Sequence, residues 1–241
     1  MKKKYLIFCF PFYLLAAVCA IMYLHAEFHP ELVMMPGARI LLLGITCISV
    51  YIGSRVLCKA PMINRNKVMR RTFLLFFAAY LLLILTFTLF DPAFGRNRQV
   101  RFVFSDKALL KNSLETAFNI IPFRTISLYL SALFTGGFSL SVIATNLLGN
   151  LVAFMPLGLF LPMFFRKCER FVYFLLTTSL IVLCIETLQF LFVVGFCDID
   201  DLILNVFGAC IAFLVLRTKP AKRLIDHFYL QERKYHHEID H

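Results

Sequence analysis

Apolar residues in this chain come in long unbroken runs, without the alternation of a half-buried strand or the narrow stripe of a surface helix. Six runs stand out: Tyr5–Leu24, Ile40–Leu57, Thr72–Phe90, Leu147–Phe165, Phe171–Val194 and Leu202–Leu216. Crossing the hydrocarbon core of a bilayer takes about 20 residues of helix, with about 17 as the short limit. Within lipid every backbone polar group must find an internal partner, which a helix provides along its own length. The pattern predicts an all-α fold, a polytopic transmembrane helical bundle of about six spans. The sixth run is short unless Asp201 and Arg217 sit at the two interfaces. Lys2, Lys3 and Lys4 ahead of the first run look like the start of a secretory leader, but no small-residue cleavage site follows, so a retained anchor is expected.

Composition agrees. Hydrophobic residues make up 60% of the chain and charged residues only 16%, where a soluble domain carries about 25% charged. The net charge of +11 would suggest nucleic acid in a soluble protein. Here the basic residues fall in loops and do not interleave with aromatics, so no nucleic-acid partner is expected. Their distribution speaks to orientation instead. Eighteen Lys and Arg lie at the N terminus, between the second and third runs, in the turn Arg166–Arg170 and in the tail, against seven in the remaining loops. The bias places both termini in the cytoplasm. Five of the eight cysteines lie inside apolar runs, where Cys acts as a small hydrophobe, and no CxxC pair occurs. No structural disulfide is expected.

The chain divides into two N-terminal spans with a basic cytoplasmic loop (1–71), a membrane domain (72–217) and a basic, His-rich tail (218–241). The loop Asp91–Thr145 has a mixed-charge first part, to Glu115, expected at the surface. Its second part, Asn119–Phe138, is apolar but interrupted by Pro122 and Gly136-Gly137, with Arg124, Ser127, Ser131 and Thr135 at helical spacing. So short a segment suits a re-entrant or interfacial helix better than a seventh span. The tail, with His236, His237 and His241, reads as solvated.

Ionisable and amide groups inside apolar runs are costly in hydrocarbon, so their positions are informative. On the fourth span Asn146, Gly149, Asn150 and Ala153 share one helix face; on the fifth, Glu186 and Gln189; on the sixth, Asp201, Asn205, Gly208 and Ala212. At a rise of 1.5 Å per residue, Asn150 lies roughly 6 Å below Asn146, Asn205 roughly as far below Asp201, and Glu186 roughly 12 Å from the outer end of its span. The loop Asp198–Asp201 closes the same end. A polar pocket open to the outside is expected. Small and amide residues on one face also serve as packing glue between helices, so Asn146, Asn150 and Asn205 admit either reading. A carboxylate as deep as Glu186 must be neutral or paired, and Arg124 is the nearest available cation. Asp200 is placed to cap the sixth span. Yet Asp198, Asp200 and Asp201 together exceed what one cap requires, and their hard oxygens would suit Mg²⁺ or Ca²⁺. They are the candidates if a divalent cation binds; no other cofactor is implied.

At these residues the sequence resembles the VanZ-like family of bacterial membrane proteins, named after a teicoplanin-resistance protein. The stretches that carry the resemblance are Asn119-Ile-Ile-Pro-Phe-Arg-Thr-Ile126, Asn146-Leu-Leu-Gly-Asn-Leu-Val-Ala-Phe-Met-Pro-Leu-Gly158, Glu186-Thr-Leu-Gln189 and Asp198-Ile-Asp-Asp-Leu-Ile-Leu-Asn205 with Gly208. They are ordered and compatibly spaced over Phe73 to Leu216; the first two spans and the tail lie outside. Where the family usually has a basic residue before the last motif, this chain has Val194-Gly-Phe-Cys197. The resemblance implies a bacterial cell-membrane protein associated with lowered susceptibility to glycopeptide or lipoglycopeptide antibiotics. Three functions compete. One is a protein that binds membrane lipid, a cell-wall precursor or a lipoglycopeptide through Arg124, Asn150, Gln189 and Asn205. The second is a membrane enzyme on a lipid-linked substrate, in one version metal-assisted, with Glu186 as acid or base and Asp198 and Asp200 as metal ligands. The third is a small transporter, against which stands the lack of an internal repeat.

Overall fold

A computed structural model describes residues 2–29, 34–90 and 101–227. The long apolar runs are helices: α1 (Lys2–Phe28), α2 (Pro36–Leu57), α3 (Arg65–Leu89), α6 (Leu140–Ala153) with α7 (Leu157–Phe164), α8 (Phe171–Leu191) and α9 (Ile199–Val215). Shorter helices are α4 (Lys107–Thr116), α5 (Arg124–Thr135) and α10 (Lys219–His227). Five spans meet the length and apolarity that a bilayer requires, α6 and α7 counting together as Leu140–Phe164, and a sixth is reached if α9 and α10 are taken as one bent span. No more than 28% of the apolar window of any of the five is buried inside the protein. The remaining surface is apolar, with side chains such as Ile7, Phe10 and Leu176 more than half exposed. An exterior of this kind is stable only in lipid.

The chain forms two compact units. In the first, spanning residues 1–83 and 222–241, α1 and α2 pack as a hairpin. Gly53 permits close approach, since a Cβ there would stand 3.3 Å from Phe12 Cβ and from the Tyr13 ring. Ser54 Oγ accepts from Thr72 Oγ1 on α3 (2.6 Å) and pairs with Tyr13 Oη (2.9 Å). At the hairpin's other end the buried Arg39 forms an ion pair with Glu27 (2.5 Å).

The second unit, residues 84–221, contains the matched motifs. The fourth span differs from its sequence expectation in two ways. Its helix starts at Leu140, not Leu147, with Ser139 as N-cap accepting from Val142 N (3.3 Å), and it breaks at residues 154–156 before Pro156 leads into α7. Asn150 therefore lies about 15 Å along the helix from its start, deeper than the apolar run alone suggests. The sixth helix is the short one: α9 extends about 26 Å, less than the roughly 30 Å hydrocarbon core. The chain then turns by 84° into α10, so the tail begins as a helix; His236, His237 and His241 lie outside the described residues. Arg217 closes this end, its guanidinium 3.5 Å above the Phe213 ring and donating to the Glu169 carbonyl.

Two glycines set how α6–α7 and α9 meet. A Cβ on Gly208 would fall 1.7 Å from the Leu151 carbonyl oxygen, and one on Gly158 would fall 2.6 Å from Phe213 N. With Asn150 bonded to Asp201, these contacts advance in the same direction along both helices. Gly149, on the expected packing face, is exposed and meets no neighbour nearer than the Thr145 methyl of its own helix. The seam therefore belongs to Gly208 and Gly158. Gly208→Ala is expected to lower stability by about 3 kcal/mol through backbone overpacking, whereas Gly149→Ala leaves it unchanged. Thermal unfolding of the two variants in detergent checks this; equal midpoints would show that the seam is placed wrongly.

Candidate functional site

The site begins with two loop segments that pair as a two-residue parallel ladder, β1 (Phe118–Asn119) and β2 (Cys197–Asp198), in the register Phe118 with Cys197 and Asn119 with Asp198. Cys197 N donates to the Ala117 carbonyl at 2.8 Å. The ladder brings the start of α5 against the start of α9.

Three aspartates then divide the work. Asp198 is the N-cap of α9: its Oδ1 accepts from Asp200 N (2.9 Å) and from Asn119 Nδ2 (2.9 Å), and its Oδ2 from Thr125 Oγ1 (2.6 Å). Asp200, which the sequence places as the α9 cap, instead caps α5. Its Oδ1 accepts from Phe123 N (2.5 Å), and its Oδ2 from Thr125 N (2.7 Å) and Ile126 N (3.0 Å). The reason is local. The residue at the N-cap of α5 is Phe123, which has no side-chain oxygen to satisfy the first N–H groups. It also stands at φ 64°, closing a turn in which Arg124 N reaches the Ile121 carbonyl, a conformation that costs a non-glycine residue about 1–2 kcal/mol. A charged acceptor at the positive end of α5 offsets that cost, because hydrogen bonds to an ionised group are strong and the helix dipole favours an anion there. Asp200 is fully buried. Asp201, one residue on, accepts from Asn150 Nδ2 of α6.

A cavity of about 330 Å³ lies above this assembly. Its charged lining is Arg124, Glu115, Asp198 and Asp201; Asn119, Thr125 and Asn146 add polar groups, and Phe118, Tyr129 and Phe196 supply aromatic walls. Asn146 also donates to the Val142 carbonyl of its own helix (2.8 Å). Arg124 is exposed and enters no ion pair among the described residues. The Tyr129 phenol is pushed above its usual range, first by burial and then by the charges of Asp201 and Asp198. Burial, followed by Glu186 and Asp198, likewise raises the Cys197 thiol.

Of the residues expected in one pocket, Arg124, Asn146, Asp198 and Asp201 line the cavity together. Asn150 reaches it only through Asp201. Asp200 lies beneath, as an anchor. Glu186, Gln189 and Asn205 are buried in the bundle and do not line it. Gln189 Nε2 donates to the Thr88 carbonyl at the end of α3 (2.9 Å). Among the described residues the amide oxygens of Gln189 and Asn205 have no hydrogen-bond partner. The expected pairing of Arg124 with Glu186 is not made. Of the polar stripe on α5 Arg124 alone lines the cavity: Ser131 and Thr135 donate to carbonyls of their own helix, and the lining face is Arg124, Thr125, Leu128 and Tyr129. The sequence reading missed Thr125, Asn119 and Glu115. The first two flank the Pro122-Phe123 turn inside a matched stretch, so the signal was present; Glu115 looks like any surface charge. As for a cation, both oxygens of Asp198 and of Asp200 are occupied by N–H or O–H donors, which fits a metal poorly. Among the described residues no cluster of three or more His, Cys, Asp or Glu side chains is arranged to hold one.

The helices, their apolar exterior and this polar assembly at one end of α9 define a multi-pass α-helical membrane protein. A family model described as VanZ/LLP1 matches residues 77–220, more than half of the chain and every residue that lines the cavity. The chain belongs to the VanZ-like family. Neither the curated proteins nor the solved structures provide a match.

Removing the shared acceptor is expected to release α5. In Asp200→Ala, amide hydrogen exchange over residues 124–135 should accelerate about 100-fold, corresponding to about 3 kcal/mol for lost hydrogen bonds to a charged group, with Asp200→Asn intermediate. Unchanged exchange in the alanine variant would sink the capping role.

Proposed function

We propose that this protein binds the polar part of an amphiphile in the cavity beside Arg124, at the outer face of the bacterial cell membrane. The ligand is a lipid head group, a cell-wall precursor or a glycopeptide-type antibiotic, and occupancy lowers susceptibility to such antibiotics. The observation that carries this reading is the cavity itself. Its volume falls in the range of small-ligand sites, about 300–1,000 Å³, and it gathers charges of both signs on segments fixed by two aspartate caps. The family resemblance supplies the link to cell-wall antibiotics, which act on precursors at that membrane face. Against a metal-assisted enzyme stands the engagement of Asp198 and Asp200 by fixed donors.

Orientation is part of the proposal and rests on the excess of Lys and Arg in loops on one side. Green fluorescent protein fused after His241 should fluoresce, and alkaline phosphatase at the same point should be inactive; the opposite pair of results would invert the cavity. For function, a deletion strain complemented with Arg124→Gln or Asp201→Asn is expected to return to the deletion strain's susceptibility to teicoplanin-type drugs. Each substitution should weaken ligand affinity about tenfold, while membrane levels and susceptibility to an unrelated drug class stay unchanged. Full protection by both variants would remove the cavity from the function.

A further inference from the structure

We infer that the cavity selects a zwitterionic amphiphile, a phospholipid whose head group carries a free ammonium next to its phosphate. This rests on the reading of the cavity as a binding site and narrows it. Three carboxylates, Glu115, Asp198 and Asp201, face the cavity against the single guanidinium of Arg124 among the described residues that line it. Asn119 and Thr125, which donate to Asp198, and Asn150, which donates to Asp201, are neutral groups. Hydrogen bonds from neutral groups stabilise a carboxylate without cancelling its charge. The described lining therefore carries more carboxylates than cations, and a ligand that offered only an anion to Arg124 would be repelled by the rest of that lining. The upward push that Asp201 and Asp198 give the Tyr129 phenol is the same negative potential felt at the wall.

A group with an ammonium is favoured twice. Carboxylates attract it, and aromatic rings such as those of Phe118, Tyr129 and Phe196 in the lining attract a cation that comes within about 6 Å of a ring. Arg124 in turn presents a planar fork that matches a phosphate or carboxylate oxygen pair. The sequence between lining residues Asn119 and Arg124 decides what the head group is attached to. Ile120, Ile121 and Phe123 are 67%, 57% and 59% exposed, an apolar edge that belongs beside acyl chains. A head group in the cavity would thus sit next to a surface already suited to its tails.

The test uses purified full-length protein and native mass spectrometry with four probes: phosphatidylethanolamine, its N-acetylated analogue, phosphatidylglycerol and water-soluble phosphoethanolamine. The expected result is that phosphatidylethanolamine is retained at least about fivefold better than the other two lipids, the scale of one exposed charge pair. Glu115→Gln, on the exposed surface of α4, should reduce that preference without abolishing binding. Arg124→Gln should weaken retention of all three lipids. Equal retention of the N-acetylated lipid by the wild type would overturn the zwitterion inference, and would leave the cavity reading standing if Arg124→Gln still weakened binding. Retention unaffected by Arg124→Gln would bring down the cavity reading as well. Phosphoethanolamine is expected not to displace the lipid at equal concentration. If it did, the source would be a soluble phospho-amine and not a membrane lipid.

Discussion

One buried carboxylate ties the family motifs into a site. Asp200 belongs by sequence to the first turn of α9, yet its two oxygens are spent on the backbone N–H groups at the start of α5. Burying a charge without partners costs several kcal/mol; here three N–H donors and the positive end of a helix make the burial favourable. The arrangement also makes α5 possible. A helix that begins at a left-handed Phe123 has no cap of its own, and it forms because another helix delivers one. Everything that lines the cavity from α5, Arg124, Thr125, Leu128 and Tyr129, is positioned by that junction.

The junction in turn needs α9 close to α6. Gly208 lets α9 press its backbone against Leu151, and Gly158 does the same one turn and more further along. The contact fixes the height at which Asp201 meets Asn150. A second strained residue helps at the other approach. α8 ends in a reverse turn in which Val194 N reaches the Gln189 carbonyl, with Val193 at φ 52° where glycine is usual. The turn sends the chain back so that Cys197 and Asp198 can pair with Phe118 and Asn119. Two unfavourable backbone conformations thus flank the same site, and the hydrogen bonds around the aspartates hold both segments in place.

Buried polar packing and the cavity also use different residues. Glu186, Gln189 and Asn205 are each buried in the bundle, with Gln189 fastening α8 to the end of α3. Most of the cavity residues sit at helix ends and in the β1 and β2 segments, where short ladders and turns replace continuous helix. Irregular backbone at the membrane is tolerated where protein covers it or where it lines a polar space, and both conditions hold here.

The sequence by itself determined the membrane class, the helical spans and the family, because hydrocarbon thickness and the need for internal backbone bonding leave so few solutions for long apolar runs. It also brought Arg124, Asn146, Asp198 and Asp201 to one end of the bundle, since helical periodicity and depth follow from residue spacing. Only the tertiary structure decided which helix each polar group serves. Asp198 and Asp200 are equally good caps for α9 by position, and the vacant N–H groups of α5 are what claim Asp200. Gly149 and Gly208 are equally small, and only the path of the neighbouring backbone makes one of them indispensable to close approach. Spacing along a chain fixes a face; what that face meets depends on how independent helices cross, which no local pattern encodes.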